Sequence, residues 1–420
     1  MQHRNWLAAM GLAYTLASPV SLAEPVASNT LSLLEFAGSI ATEHFDVRAA
    51  RAEVEAALSR QEAASQPLYN PQLEFEAESG GEQDAFGGGG VSQFGAGISQ
   101  TIDWNDKREV RTLAAKRYVL AAEAELALVG QEIAAQALDA LINYRTTEQL
   151  LDLARRRVEV LQRFAELAQE RKRAGDIGQT DLDLARLALA EGLSVLADAR
   201  VAVNEALQAL REIATDEPHR WPELPDALPA PLEVAGLREL AKSHPQIAAL
   251  QSQLAAARAE IDIARSQRQA DPTVGAGISR EGENNIVGLS FSIPLYVRND
   301  YRAEVDAAAN DALAVEASMQ AEYERLLARL RTTLESFQDS RSALQSWQKT
   351  VSGHLDQGLD LLERLWQVGE LSATEYLLQI QQRLDARAAG LRLRAQVWRS
   401  WTNWLVVSGD WRTELSRLEP

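Results

Sequence analysis

The chain has 420 residues and a formal net charge of −18 at neutral pH, an acid excess that repels phosphate and argues against nucleic acid as a partner. It contains no cysteine, which excludes disulfides, thiolate metal sites, thiol nucleophiles and a lipid-bearing N-terminal cysteine. Hydrophobic residues make up 46% but aromatic ones only 6%; alanine and leucine fill the difference, a composition suited to long, closely packed helices.

Residues 1–23 read as a signal peptide. His3 and Arg4 precede an apolar run from Trp6 to Leu16, and Ser21, Leu22 and Ala23 offer a small-residue cleavage site. No later stretch reaches the ~20 apolar residues of a transmembrane helix, so any crossing of a membrane must be made by strands. Thr30 is the expected N-cap of a helix running to Gln66, ended by Pro67 and Pro71.

From Gln72 to Trp104 the period is two, the signature of strands. Leu73, Phe75 and Ala77 share one face and Glu74, Glu76 and Glu78 the other. After a glycine-rich loop through Gly87–Gly90, Phe94, Ala96, Ile98 and Ile102 oppose Ser99, Thr101 and Asp103. A hairpin alone is marginal in water, and the chain supplies a second one. Asp271-Pro272 matches Asn70-Pro71, Val274, Ala276 and Ile278 share a face, and Val287, Leu289, Phe291, Ile293 and Leu295 form the apolar face of the partner strand. Gly95–Ser99 aligns with Gly288–Ser292, and Gly175–Asp181 with Gly369–Glu375. The chain is a tandem duplication, each half being helix, hairpin and two very long helices.

Asn105-Asp106 is the expected cap of a helix from Lys107 to Ala174, which would extend ~100 Å. Gly175 to Gln179 is a turn, and Thr180 is the expected cap of a return helix to about Ala214. Pro218, Pro222, Pro225, Pro229 and Pro231 mark a linker. The second half repeats the plan with helices from Leu237 to Gln269 and Tyr301 to Val368, a second turn, and a last helix from Thr374 to Val407. Arg387 and Arg394 interrupt its three-four apolar seam and are expected to face a lumen or a groove between protomers. The resulting division is 24–215 (hairpin 72–104, helical hairpin 107–214), linker 216–235, and 236–420 (hairpin 272–297, helical hairpin 300–407).

No catalytic constellation emerges. His44, His219, His244 and His354 are not at ligand spacing, and Gly87–Gly90 lacks the strand-then-helix context of a phosphate loop. An enzyme, a cofactor and a resident metal site are not expected. Glu74, Glu76 and Glu78 could form an acid/base pair or a calcium site, but alternate residues of an amphipathic strand ordinarily face water. If Leu73, Phe75 and Ala77 meet lipid, the acids line the inside of a barrel. Four strands cannot close such a barrel, and open edges cannot sit in lipid, so several copies must contribute. Tyr69, Trp104 and Tyr296, at the helix-proximal strand ends, fit either an interfacial aromatic girdle or core packing.

The chain resembles the TolC family of outer-membrane efflux proteins, and within it the CzcC-like branch serving heavy-metal resistance-nodulation-division (RND) pumps. The resemblance rests on Asn70-Pro71-Gln72-Leu73, Gly97-Ile98-Ser99-Gln100 with Lys107-Arg108, Asp271-Pro272-Thr273-Val274-Gly275, and Gly288 to Leu295 followed by Arg298-Asn299. It implies a mainly α fold. Long antiparallel helical hairpins would form an α-barrel tunnel across the periplasm, and four strands per chain would contribute to a trimeric twelve-stranded β-barrel in outer-membrane lipid. It also implies a homotrimer working with a periplasmic adaptor and an inner-membrane RND pump, with the adaptor docking at the helical turns near Arg171 and Arg173. A duct for drugs or secreted polypeptides, or a periplasmic coiled-coil adaptor, are the competing readings. The turns lie farthest from the strands. Each carries an acid after its glycine, Asp176 or Glu370, and another after its threonine, Asp181 after Thr180 or Glu375 after Thr374, which would make the entrance cation-preferring.

Overall fold

The computed structural model describes residues 32–80, 91–214, 221–232, 236–351, 359–409 and 411–416. The signal segment, Thr30, Gly87–Gly90, His219 and His354 lie outside them. The first half comprises α1 (Leu33–Glu43), α2 (Phe45–Ser65), β1 (Gln72–Gly80), β2 (Val91–Thr101), α3 (Lys107–Ala174) and α4 (Gln179–Ile213). The second comprises α5 (Leu237–Ser243), α6 (Pro245–Gln267), β3 (Thr273–Glu281), β4 (Asn284–Ser292), α7 (Arg302–Val351), α8 (Leu359–Gln367), α9 (Ala373–Ser408) and α10 (Trp411–Ser416). No helix among the described residues is long and apolar enough to cross a membrane.

The helix expected to precede each hairpin is two helices, broken in both halves at a histidine. His44 and His244 have extended backbones, and the imidazole Nδ1 of each accepts the amide N–H two residues on, from Asp46 at 3.2 Å and Gln246 at 3.1 Å. Pro245 at the first position of α6 disfavours a helical conformation at His244. Burial also lowers the pKa of His244, which keeps it neutral and able to accept. The expected cap Thr30 gives way to Ser32, whose hydroxyl accepts the Glu35 amide while Glu35 returns the bond to the Ser32 amide.

The start of α3 also departs from expectation. Asp106 adopts a left-handed conformation with no capping bond from its side chain. Asp103 takes the role instead, its two carboxylate oxygens accepting the Lys107 and Arg108 amides at 2.9 Å each. From there α3 runs for 68 residues, about 100 Å at 1.5 Å per residue. It is the spine of the molecule, packing on α1, α2 and α6 towards the strands and on α4 and α9 towards the far end. Gly192 lets α4 approach closely, since a Cβ there would sit 2.8 Å from a Leu161 methyl.

The broadest core lies at mid-length, where Phe36, Leu141, Phe337, Trp398, Trp401 and Leu405 meet. Burying each large side chain contributes about 1.5–3 kcal/mol. The linker is drawn onto this core: Trp221 packs edge-on against Phe36 at 6.1 Å, and Arg145 donates to the main-chain oxygens of Trp221 and Pro222. Arg394 belongs to the same clamp, donating to the Pro225 oxygen at 2.8 Å and pairing with Asp226 at 3.2 Å. Within the chain its guanidinium is thus held by the linker. Four antiparallel strands in the order β1-β2-β3-β4 form one sheet at the other end of the chain's long axis from the helical turns.

Candidate functional site

The sheet has two chemically distinct faces. Across it, Leu73, Ile98, Ala276 and Leu289 stand in one row and Phe75, Ala96, Ile278 and Val287 in the next. These rows project outward with little cover, Leu289 being 88% exposed. The strands are 9 to 11 residues long, the length a tilted strand needs to cross a bilayer. On the opposite face Glu74 shares a row with Gly97, Gly277 and Gly288, Glu76 with Gly95, Ser279 and Ile286, and Glu78 with Gln93, Glu281 and Asn284. Ser99 donates its hydroxyl to Glu74 at 2.9 Å. An acid column set among glycines and serines, with an oily reverse face, is the arrangement of a barrel wall wet on one side only.

Where the sheet meets the helices, a polar network ties the two halves together. Lys107 pairs with Asp271 at 2.9 Å, Tyr69 donates its hydroxyl to the same carboxylate oxygen at 2.8 Å, and Lys107 also donates to the Gln269 carbonyl. Asp271 is only 4% exposed. Burial pushes its carboxyl up, but the bonds from Lys107 and Tyr69 outweigh this and hold it below the ordinary aspartate range. Burial and Asp271 push the Tyr69 phenol up to about 12. Of the three aromatics expected at this level, Tyr69 thus serves the junction, Tyr296 packs edge-on against Tyr301, and Trp104 projects outward.

At the far end, the two helical turns are built alike. Gly175 has φ 85° and Gly369 φ 81°, the left-handed conformation glycine adopts freely. The Asp176 and Glu370 amides reach back to the Arg171 and Leu365 carbonyls at 2.8 and 2.9 Å, closing a Schellman turn in each case. The expected caps Thr180 and Thr374 are corrected: Gly178 and Ser372 occupy the cap positions and the threonines lie inside the first helical turn. Asp181 accepts the Gly178 amide at 3.1 Å. Glu375 accepts the Ser372 amide and hydroxyl while Ser372 accepts the Glu375 amide. Those bonds, the Ser372 amide foremost, lower the Glu375 pKa. The side chains of Arg173, Asp176 and Glu370 are on the exposed rim.

The two turns are held against each other by groups the sequence pattern leaves unmarked. Phe164, Trp366 and Tyr376 form a buried aromatic cluster, with Trp366 stacked on Tyr376 at 5.8 Å and edge-on to Phe164 at 5.4 Å. Arg171 lies over the Trp366 ring, its guanidinium carbon 4.4 Å from the centroid. A tryptophan and a tyrosine flanking a glycine turn are the sequence signal that could have found this cluster. Among the described residues the arrangement places no nucleophile beside a base. It offers surfaces and fields: an exposed apolar sheet face, an acidic opposite face, and acids at the exposed helical end.

Residues 38–215 and 236–405 match the outer membrane efflux protein family. The cobalt-zinc-cadmium resistance protein CzcC of Cupriavidus metallidurans is 26% identical over 313 residues, 72% of this chain and 73% of that protein. The fold is similar to that of CusC, at a TM-score of 0.77 and 16% identity over 90% of this chain and 93% of that one. It is also similar to the outer membrane protein VceC of Vibrio cholerae, at a TM-score of 0.72 and 16% identity over 90% and 96%. The chain belongs to the outer membrane efflux protein family, whose members are passive outer-membrane channels with a large periplasmic tunnel.

Proposed function

We propose that this chain is the exit duct of a tripartite efflux system, conducting heavy-metal cations from an inner-membrane RND pump and a periplasmic adaptor to the exterior. The working unit is a homotrimer in which three four-stranded sheets share one barrel. The observation that carries the reading is the sheet itself: one face apolar and uncovered, the other bearing Glu74, Glu76 and Glu78, with β1 and β4 as its edges. Such edges are untenable in lipid unless other chains pair with them. The likeness to the cobalt-zinc-cadmium resistance protein favours metal cations as cargo.

In this reading 24–215 and 236–420 act as two repeats around the 216–235 linker. The turns at Gly175–Thr180 and Gly369–Thr374 form the periplasmic mouth and the adaptor's docking site, with Arg173, Asp176, Asp181, Glu370 and Glu375 at the rim. Deleting the gene and scoring growth on a panel of metals and drugs tests it. Selective sensitivity to divalent metals, restored by the intact gene, supports the metal duct. Sensitivity to drugs alone would replace the cargo, and recovery of the protein from cells without detergent would replace the channel.

A further inference from the structure

The duplication places the same cap in two unlike surroundings. His44 starts α2 and His244 starts α6, each accepting an amide through Nδ1. In the first copy the imidazole is partly open, and the exposed Asp46 carboxylate stands 3.6 Å from the same nitrogen. A proton arriving on Nδ1 there exchanges an accepted amide for an ion pair with Asp46. The second copy has Gln246 in the place of Asp46, and the Gln246 side chain already donates to Glu322 at 3.0 Å.

His244 is only 3% exposed. With Nδ1 accepting, its proton sits on Nε2, which makes no hydrogen bond; the Val406 carbonyl on that side already accepts from Gln131. A second proton, on Nδ1, would set donor against donor at the Gln246 amide and leave a charge buried. Among the described residues no carboxylate is placed to answer it. Glu322 on α7 is shared by Arg325 and Arg329, and Glu239 on α5 pairs with Lys242. Glu125 and Glu132, across a cleft on α3, are exposed and make no bond to the imidazole. Burial, joined by the Arg329 charge, holds His244 below the ordinary histidine range.

We propose that His244 is an acid-sensitive latch: taking up a proton undoes the start of α6 and loosens its seat on the end of α9, whereas His44 keeps its hold on α2 through Asp46. The end of α9 is in direct contact with the ring. A Cβ on Gly409 would lie 3.0 Å from His244 Cδ2 and 2.8 Å from Pro245 Cδ. The neighbouring residues Ala241 and Ile247 join Leu326, Leu330 and Trp404 in the buried cluster that unites α5, α6, α7 and α9. Because the folded-state pKa lies below the ordinary one, the latch is fully closed above the unfolded value near ~6.5. Its hold is lost as pH falls from there through the depressed folded value.

Hydrogen exchange of the full chain in detergent, read by mass spectrometry at about pH 7.5 and about pH 5 and corrected for intrinsic rates, tests the latch. In the wild type, protection over 245–250 and 404–409 should fall several-fold on acidification while protection over 45–50 holds. H244N keeps a side-chain oxygen for the cap but cannot titrate, so it should hold protection in both copies. Asp410, next to Gly409, lies outside the described residues, and D410N should respond as the wild type does. Equal loss in the two copies, no loss in either, a loss that persists in H244N, or one that D410N abolishes, each overturns the latch. If H244N does not assemble, the two copies within the wild type still decide.

Discussion

Arg171 on α3 donates to the main-chain oxygen of Trp366 on α8 at 2.8 Å, across 195 residues of sequence. That oxygen also accepts the Gly369 amide, so one guanidinium caps the second turn from the first and covers the indole below it. R171A removes a charged hydrogen bond and a cation–π contact together, about 1.5–3 kcal/mol. Thermal melts in detergent should show a lowered midpoint with normal assembly. W366A empties a buried site at about 3–5 kcal/mol and should lower the thermal midpoint as well.

The outward rows predict an asymmetry between faces. L289R places a charge on the uncovered apolar face and should cost about 2–4 kcal/mol per chain near the bilayer midplane, abolishing outer-membrane assembly. E76Q lies on the other face and should assemble at wild-type level with reduced cation conductance. Heat-modifiability on gels and bilayer recordings separate the two; equal assembly would reverse the assigned faces.

The junction pair should respond to pH and to partner loss differently. The folded-state pKa of Asp271 lies below its ordinary value, so its contribution is present above the unfolded value near ~3.9. It fades only as pH falls through the depressed folded value. D271N strands buried Lys107 and should cost about 3–5 kcal/mol, whereas K107M/D271L removes both charges and should cost far less. Thermal melts in detergent at neutral pH and at pH 3 test both statements.

At the turns, capping acids and rim acids should part company. Asp181 and Glu375 are engaged with Gly178 and Ser372, so D181N/E375Q should chiefly loosen the helix starts. Asp176 and Glu370 are exposed at the rim, so D176N/E370Q should chiefly reduce cation selectivity. The loss should be large at low salt and small near 1 M, where the screening length falls to about 3 Å. Reversal potentials under a salt gradient read the difference.

Much of this architecture is legible locally. The period of two at Leu73, Phe75 and Ala77 marks both strand and face, and the glycines at 175 and 369 mark the turns. Caps were less legible, because Ser372 and Thr374 are both competent and only the backbone angles choose between them. The break at His44 had no proline to announce it, whereas Pro245 offered that signal beside His244.

What the sequence determined by itself is whatever depends on neighbours a few residues apart: the duplication, the strands and their faces, the long helices and their glycine turns. Tertiary structure alone decided which groups meet across long stretches of chain. Arg394 reaches Asp226, Lys107 reaches Asp271 and Arg171 reaches Trp366 over more than 160 residues each. No periodicity encodes such pairs. They depend on how rods as long as α3 are brought side by side, and a long flexible arginine or lysine finds its partner only once that packing is set.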